Sequence, residues 1–170
     1  LKENKDTKFF LLIQGLDGHS PFDLPKPYDT MFADSQHSGI FKTVILDHRI
    51  GDRISNGFFQ FDDGRKVAIS SKDIEYIISQ YDGSIAFADK FISEFLKKID
   101  ELNLRNNTII ILTSYHGAPL YEHGLILKRL HGRKPVEGVI RVPLIIRLPS
   151  IIEKGLRIKT QAQHVDILPT

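Results

Sequence analysis

The residues best suited to chemistry lie where a short apolar run ends. Residues 108–112 (Thr-Ile-Ile-Ile-Leu) are followed directly by residues 113–117 (Thr-Ser-Tyr-His-Gly). A buried strand over this run would carry Tyr115 and His116 to its carboxyl end, which is where open α/β sheets place their ligands. We therefore expect His116 to face a cleft. The alternative is a core or turn histidine that is hydrogen-bonded to backbone.

A second histidine follows another apolar run. Residues 9–14 (Phe-Phe-Leu-Leu-Ile-Gln) are typical of a buried parallel strand, and residues 15–27 form a loop rich in Gly, Pro and Asp. His19 lies in this loop, between Gly18 and Pro21. We expect His19 to lie in a cleft at the end of the strand.

A third histidine, His131, is followed by two cationic side chains, Arg133 and Lys134. Guanidinium and ammonium groups are suited to clamping an oxyanion. His131 itself fits a catalytic role and a solvated loop equally well. Loops after different strands often combine into one site, so we predict that His19, His116 and His131 surround a single cleft.

One long helix is the clearest of the elements that must position these residues. Apolar residues recur at steps of three and four, which predicts an amphipathic helix over residues 72–102. They are Ile74, Ile77, Ile78, Tyr81, Ile85, Ala88, Ile92, Phe95, Ile99 and Leu102. Ser70 and Asp73 fit a capping box at the start of this helix.

The remaining pattern predicts an α/β fold. Buried strands are expected at 9–14, 108–113 and 142–147, and a strand, a helix and a strand in succession favour parallel pairing. We therefore predict a three-layer α/β/α sandwich with a largely parallel sheet, on which the long helix packs. The sequence further predicts a hairpin of 58–61 and 66–69, an edge strand at 158–163 and a helix start at 165. It also predicts helical turns at 27–34, an apolar stretch at 43–46 and a helix or loop at 122–130.

Composition excludes some classes of site and partner. The net charge is +2, and Lys and Arg are scattered among Asp and Glu, so the sequence gives no indication of nucleic-acid binding. There is no cysteine, which excludes disulfides and thiolate metal sites. No apolar run approaches the roughly 18 residues needed to span a bilayer. His37, His48, His123 and His164 belong to no constellation and are expected to be structural or surface residues.

Taken in order, these pieces resemble the sulfatase family of the alkaline phosphatase superfamily. The resemblance covers nearly the whole chain and rests on residues 17–22, 81–86, 107–108, 113–117, 122–124, 131–133, 141–147 and 166–170. In the family, the strand that matches 108–112 ends in Thr-Ser-Asp-His-Gly or Thr-Ser-Asp-Asn-Gly, whose Asp and His or Asn bind a divalent metal. The resemblance implies that His116 is a metal ligand and that Tyr115 occupies the position of the Asp ligand.

The resemblance also implies roles for the other candidates. His19 would contact a substrate oxygen or the leaving group, and His131 lies about where the family often has a catalytic Lys or His. Arg133 and Lys134 would bind the substrate, a small anionic ester of the sulfated-sugar or aryl sulfate type. Calcium or magnesium is the family's cofactor. We expect this chain not to hold either tightly, because a neutral phenol does not replace the carboxylate that a hard cation prefers.

Part of the family's catalytic apparatus is absent from these residues. The nucleophile of sulfatases is a formylglycine made from the first residue of a Cys/Ser-x-Pro-x-Arg motif, and no such motif occurs here. We expect residues 1–170 to be a single, partial sulfatase-like catalytic domain, cut at both ends and incomplete at the N-terminus. On its own it should be inactive toward aryl sulfates and aryl phosphates.

Three hypotheses for function follow. The first is a sulfatase-like hydrolase of sulfuric esters. The second is a phosphate or phosphonate ester hydrolase of the same superfamily. The third is a catalytically degenerate relative that binds an anion or a sugar, which the Tyr115 change would mark.

Overall fold

The computed structural model describes residues 1–42, 46, 49–124, 126–127 and 135–169. In chain order the helices and strands are α1 (Ile50–Arg53), β1 (Ile54–Ser55), β2 (Phe58–Gln60), β3 (Lys66–Ala68), α2 (Ser71–Glu101), β4 (Ile110–Thr113), α3 (Glu137–Ile140) and β5 (Leu144–Arg147). Short 3-10 turns lie at Lys2–Asn4, Ile40–Lys42, Glu122–Gly124 and His164–Asp166. Within this part of the chain, no helix is both long enough and apolar enough to cross a membrane.

The long helix is confirmed within one residue at each end, as Ser71–Glu101. Its predicted capping box is also present: the backbone N–H of Asp73 donates to Ser70 Oγ at 3.2 Å, and Asp73 Oδ2 accepts from Ser70 N at 3.0 Å. The second carboxylate oxygen, Oδ1, accepts from Ile40 N at 3.0 Å. Asp73 therefore caps α2 and ties the preceding 3-10 turn to it.

The predicted hairpin is confirmed and forms the main core. β2 and β3 pair antiparallel with Phe59 opposite Val67, and β1 pairs with the other edge of β2. Phe59 is fully buried, and its ring meets those of Phe41 and Phe61 edge to face. We call the buried cluster around it the hairpin core; it consists of Phe41, Leu46, Ile50, Ile54, Phe59, Ile77 and Ile126.

A second sheet, which we call the site sheet, consists of β4 and β5. Both strands fall within predicted runs, but their predicted parallel pairing is wrong: they are antiparallel, with Ile110 opposite Arg147 and Thr113 opposite Leu144. Strand direction depends on the route of the connection, and the described residues between β4 and β5 form the turn Glu122–Gly124 and the one-turn α3. The long helix instead connects β3 to β4.

Two further strand predictions have no counterpart. Residues 9–14 and 158–163 are irregular, and Phe10 and Leu12 are 90% and 79% exposed. A strand needs a neighbour to accept its backbone hydrogen bonds, and no described residue pairs with either segment. All sheet pairs among the described residues are antiparallel. The structure thus combines helices with small sheets, without the largely parallel sheet that was expected.

Of the four remaining predictions, two differ from the structure and two lie partly outside the described residues. Residues 27–34 form successive turns instead of a helix, and the helix start at 165 is a 3-10 turn. The stretch 43–46 lies mostly outside the described residues, as does the second half of 122–130; the first half forms the turn Glu122–Gly124.

Candidate functional site

The loop after residues 9–14 holds His19 in a tight turn. Gly18 has φ +88°, a left-handed conformation that favours glycine, and His19 N donates to Leu16 O at 3.1 Å. The His19 ring turns back on its own loop, where Nδ1 lies 2.5 Å from Ser20 O. The imidazole is therefore fixed by its immediate neighbours in sequence.

The middle of α2 supports this loop. Gln80 Nε2 donates to Asp29 O at 2.9 Å, and a Cβ on Gly83 would lie 2.3 Å from Tyr28 O, so the loop backbone contacts the helix directly at this glycine. The rings of Phe22 and Tyr81 meet edge to face at 6.4 Å. Burial raises the pKa of the Tyr81 phenol, with a smaller contribution from the Asp82 charge.

The end of β4 carries the second candidate histidine. Ser114 Oγ donates to His116 O at 2.7 Å, and His116 Nδ1 lies 2.7 Å from Gly117 O. Gly117 N donates to Val139 O at 2.8 Å, which joins this loop to α3. These bonds bend the chain sharply after Thr113 and fix the ring of His116.

His19 and His116 share one arrangement. In each, Nδ1 contacts the backbone carbonyl of the next residue. A carbonyl oxygen only accepts, so Nδ1 must carry the hydrogen, and in the neutral ring the lone pair is on Nε2. Metal-binding and proton-accepting histidines are commonly held this way, with one nitrogen donating to backbone and the other acting as ligand or base.

One cavity brings the two segments together. Its volume is about 450 Å³, within the range of small-molecule sites, and both His19 and Tyr115 line it. The remaining lining comes from the same loop and from α2: Leu16, Asp17, Gly18, Ser20, Pro21, Phe22, Asp23, Leu24, Ser84 and Phe87. The ring of His116 meets that of Tyr115 edge to face, with 4.5 Å between the ring centroids.

The donor atoms at this site do not fit a hard divalent cation. Calcium and magnesium bind through oxygen ligands, mostly carboxylates, whereas the end of β4 offers the phenol of Tyr115 and the imidazole of His116. Among the described residues, no group of three or more His, Cys, Asp or Glu side chains is placed to hold a metal ion. The described residues alone therefore do not form a site for such a cation. The cavity can accept a proton at His19 and hydrogen-bond to a polar ligand through Tyr115.

Three of the predicted site residues, His131, Arg133 and Lys134, lie outside the described residues. His19 and Tyr115 line the cavity, and the ring of His116 contacts that of Tyr115. Sequence reasoning missed the contribution of α2, through Ser84 and Phe87. Gly83 within a long helical pattern was the available signal, since an isolated helix glycine often marks a close backbone contact.

His164 was also missed. It was predicted to be a surface or packing residue, and it is exposed, but its Nε2 lies 3.3 Å from Thr113 Oγ1 at the end of β4. The two residues are 51 positions apart. No local pattern could have paired them.

Comparison with known proteins identifies the family. The sulfatase family model matches residues 1–170. The chain is 30% identical to an arylsulfatase of Clostridium perfringens over 99% of its length and 34% of that protein. It is 26% identical to the multifunctional alkaline phosphatase superfamily protein PehA of Trinickia caryophylli over 100% of its length and 34% of that protein.

A third relative is the N-acetylglucosamine-6-O-sulfatase of Bacteroides thetaiotaomicron, 34% identical over 62% of this chain and 18% of that protein. The chain thus spans about a third or less of these relatives. The match of the family model along all 170 residues shows that this chain belongs to the sulfatase family, whose fold is of the α/β, alkaline phosphatase-like type.

Proposed function

We propose that this chain forms the His19 and His116 side of the active site of a sulfuric ester hydrolase. The observation that carries the proposal is the shared cavity: His19 and Tyr115 line it, and His116 lies against Tyr115. In this proposal the Nε2 atom of His19 contacts an oxygen of the ester. The substrate is a small anionic ester of the aryl sulfate or sulfated-sugar type, as the names of the relatives suggest.

The remaining substrate contacts are proposed to come from the segment that follows the site. His131 would assist proton transfer, and Arg133 and Lys134 would neutralise the non-bridging oxygens. Charge-assisted hydrogen bonds from such cations are the usual means of binding sulfate and phosphate groups. The support for these roles is the sequence pattern and the family resemblance.

We further propose that residues 1–170 are part of a single catalytic domain with a largely parallel sheet. Residues 9–14 would form a strand beside β4 in that sheet. The loop after residues 9–14 and the end of β4 meet at one cavity, so the two segments approach it in the same direction, as parallel neighbours do. The exposed side chains of Phe10 and Leu12 would be covered by such packing.

The nucleophile is proposed to lie outside these residues, since no Cys/Ser-x-Pro-x-Arg motif occurs in them. The divalent cation used in the family would also depend on ligands from elsewhere, with His116 Nε2 as the contribution of this chain. Tyr115 would contact the substrate without binding the cation. Residues that act as a catalytic unit lose activity together, so residues 1–170 alone are expected to be inactive.

Two observations favour other chemistry. The likeness to PehA, named a multifunctional alkaline phosphatase superfamily protein, favours a phosphate or phosphonate ester as substrate. Tyr115 in place of a carboxylate favours a non-catalytic protein that binds an anion or a sugar. Both alternatives use the same cavity, so they differ from the first proposal only in turnover and in the ester accepted.

The test is turnover of chromogenic aryl sulfate and aryl phosphate by the full-length gene product. We expect hydrolysis of the sulfate, reduced at least about a hundredfold by His19→Ala and by His116→Ala. Hydrolysis of only the phosphate would establish the second function. No turnover, together with sulfate binding that His19→Ala abolishes, would establish the third.

A matched histidine serves as the control. His123 is exposed and has φ +55°, a conformation that asparagine tolerates well. His123→Asn should therefore leave turnover unchanged. Residues 1–170 alone should give no turnover, and Tyr115→Asp should not restore it, because that change returns one ligand and no nucleophile.

A further inference from the structure

Thr113, the last residue of β4, makes two side-chain contacts. Its Oγ1 donates to Pro143 O at 2.9 Å and lies 3.3 Å from His164 Nε2. Pro143 directly precedes β5, and His164 begins the 3-10 turn His164–Asp166. One hydroxyl thus joins three segments at the point where β4 gives way to Tyr115 and His116.

From this geometry we infer that His164 is a positioning residue for the active site: its Nε2–H holds Thr113 and so sets the direction in which Tyr115 and His116 leave the strand. The inference rests on the proposed function only for its effect on turnover. In this inference His164 acts through Thr113 and not by touching the substrate.

The direction of the hydrogen bond follows from valence. A threonine hydroxyl has one hydrogen, and the carbonyl of Pro143 can only accept it. Thr113 Oγ1 must therefore be the acceptor toward His164, and Nε2 must carry a hydrogen. This is opposite to His19 and His116, whose hydrogens are on Nδ1. The contacts thus place a hydrogen on Nδ1 of His19 and His116 and on Nε2 of His164.

Two features enable His164 to hold Thr113 in a fixed position. Its own turn is closed by hydrogen bonds from Gln163 N to Asp166 Oδ2 at 2.7 Å and from Ile167 N to His164 O at 3.2 Å. Thr113 is followed at once by the bent segment in which Ser114 Oγ bonds to His116 O. A small rotation at Thr113 would therefore move both Tyr115 and His116, and misplacement of about 1 Å can greatly reduce rate.

The test compares two His164 variants of the full-length gene product, one expected to lose activity and one expected to retain it. His164→Ala removes the donor, whereas His164→Gln retains an N–H at about the position of Nε2. We expect kcat for a chromogenic aryl sulfate to fall about tenfold in His164→Ala with KM little changed. His164→Gln should restore kcat to within about threefold of wild type, which a loss of general stability would not do.

Thr113→Val removes the acceptor. If the bond is the cause, the double variant Thr113→Val with His164→Ala should be no slower than Thr113→Val alone, because effects on one interaction are not additive. Multiplying losses would overturn the inference. So would unchanged kcat in His164→Ala, or a His164→Gln variant as slow as His164→Ala.

A second measurement keeps the inference testable if the protein turns over no ester. Nitrogen-15 chemical shifts of the histidine rings report which nitrogen carries the hydrogen. We expect His164 in the Nε2–H state and His116 in the Nδ1–H state, with His116 and Tyr115 resonances shifting in His164→Ala and returning in His164→Gln. A His164 ring protonated only at Nδ1, or unshifted His116 resonances, would refute the positioning role independently of the proposed function.

Discussion

The hairpin core is a cluster of buried apolar side chains, whereas the side chains of the site sheet are exposed or half-buried. Phe59 is fully buried among aromatic rings. In the site sheet, by contrast, Leu144 and Ile145 are 38% and 56% exposed. An ion pair links the site sheet to α2, with Arg147 Nη2 3.7 Å from Asp100 Oδ1.

The difference indicates that the two regions have separate roles within the described structure, one in stability and one in orienting side chains. Burial of apolar surface is the main source of folding free energy, so the hairpin core supplies most of the stability. Hydrogen bonds give less net stability but fix direction, and the site sheet uses them to orient Tyr115 and His116. Four substitutions in the 170-residue chain test this division, and unfolding in urea measures each.

The largest effect is expected at Phe59. Phe59→Ala should lower the free energy of unfolding by about 3–5 kcal/mol, since it leaves a cavity among Phe41 and Phe61. The neighbouring Phe58→Ala is the control, because Phe58 is 45% exposed, and it should cost less than about 1 kcal/mol. Equal losses from the two variants would show that the hairpin core does not dominate stability.

Asp73→Ala should have the next largest effect, about 2 kcal/mol. The substitution removes the cap of α2 and the bond from the half-buried Ile40 N–H to the Asp73 carboxylate. Glu75→Ala, on the exposed side of the same turn, should be close to neutral. A neutral Asp73→Ala would mean that the helix start does not depend on its cap.

Arg147→Ala should cost about 1 kcal/mol, because the Asp100 ion pair is partly exposed. Arg141→Ala is the control: its side chain is 82% exposed and 3.8 Å from Glu137. If Arg147→Ala lowered the free energy of unfolding as much as Phe59→Ala, the site sheet would contribute as much to stability as the hairpin core.

The smallest effect is expected for Ile145→Ser, within about 0.5 kcal/mol, because the Ile145 side chain is largely exposed in the described structure. In the full-length gene product the same change should cost more if other parts of the protein cover the site sheet. A large loss already in the 170-residue chain would contradict the described exposure.

Local patterns predicted the elements that depend on local sequence. The periodic apolar residues and the Ser70–Asp73 cap fix α2, and the Asp-Gly turn at residues 63–64 fixes the hairpin. These features act between residues a few positions apart. The local sequence is therefore enough to predict them.

Relations between distant segments were not predictable in the same way. An apolar run such as 144–147 indicates a strand but not its direction, which the connecting chain determines. The assignment of His19 and His116 to one active site stays a prediction; among the described residues, His19 and Tyr115 line one cavity. The contact between Thr113 and His164 was not predicted, because nothing in either local sequence specifies the other.

The bonds from His19 and His116 to the carbonyl of the following residue have a practical consequence for protein engineering. In the His19 ring, Nδ1 makes the backbone contact, and the two ring nitrogens can be replaced separately. An asparagine amide nitrogen lies near the position of Nδ1, and a glutamine amide nitrogen near that of Nε2. At position 19, asparagine therefore retains a donor to the Ser20 carbonyl and removes Nε2, while glutamine does the reverse. Comparing the asparagine and glutamine variants would show whether the histidine is needed to hold the loop in shape or to contact the substrate.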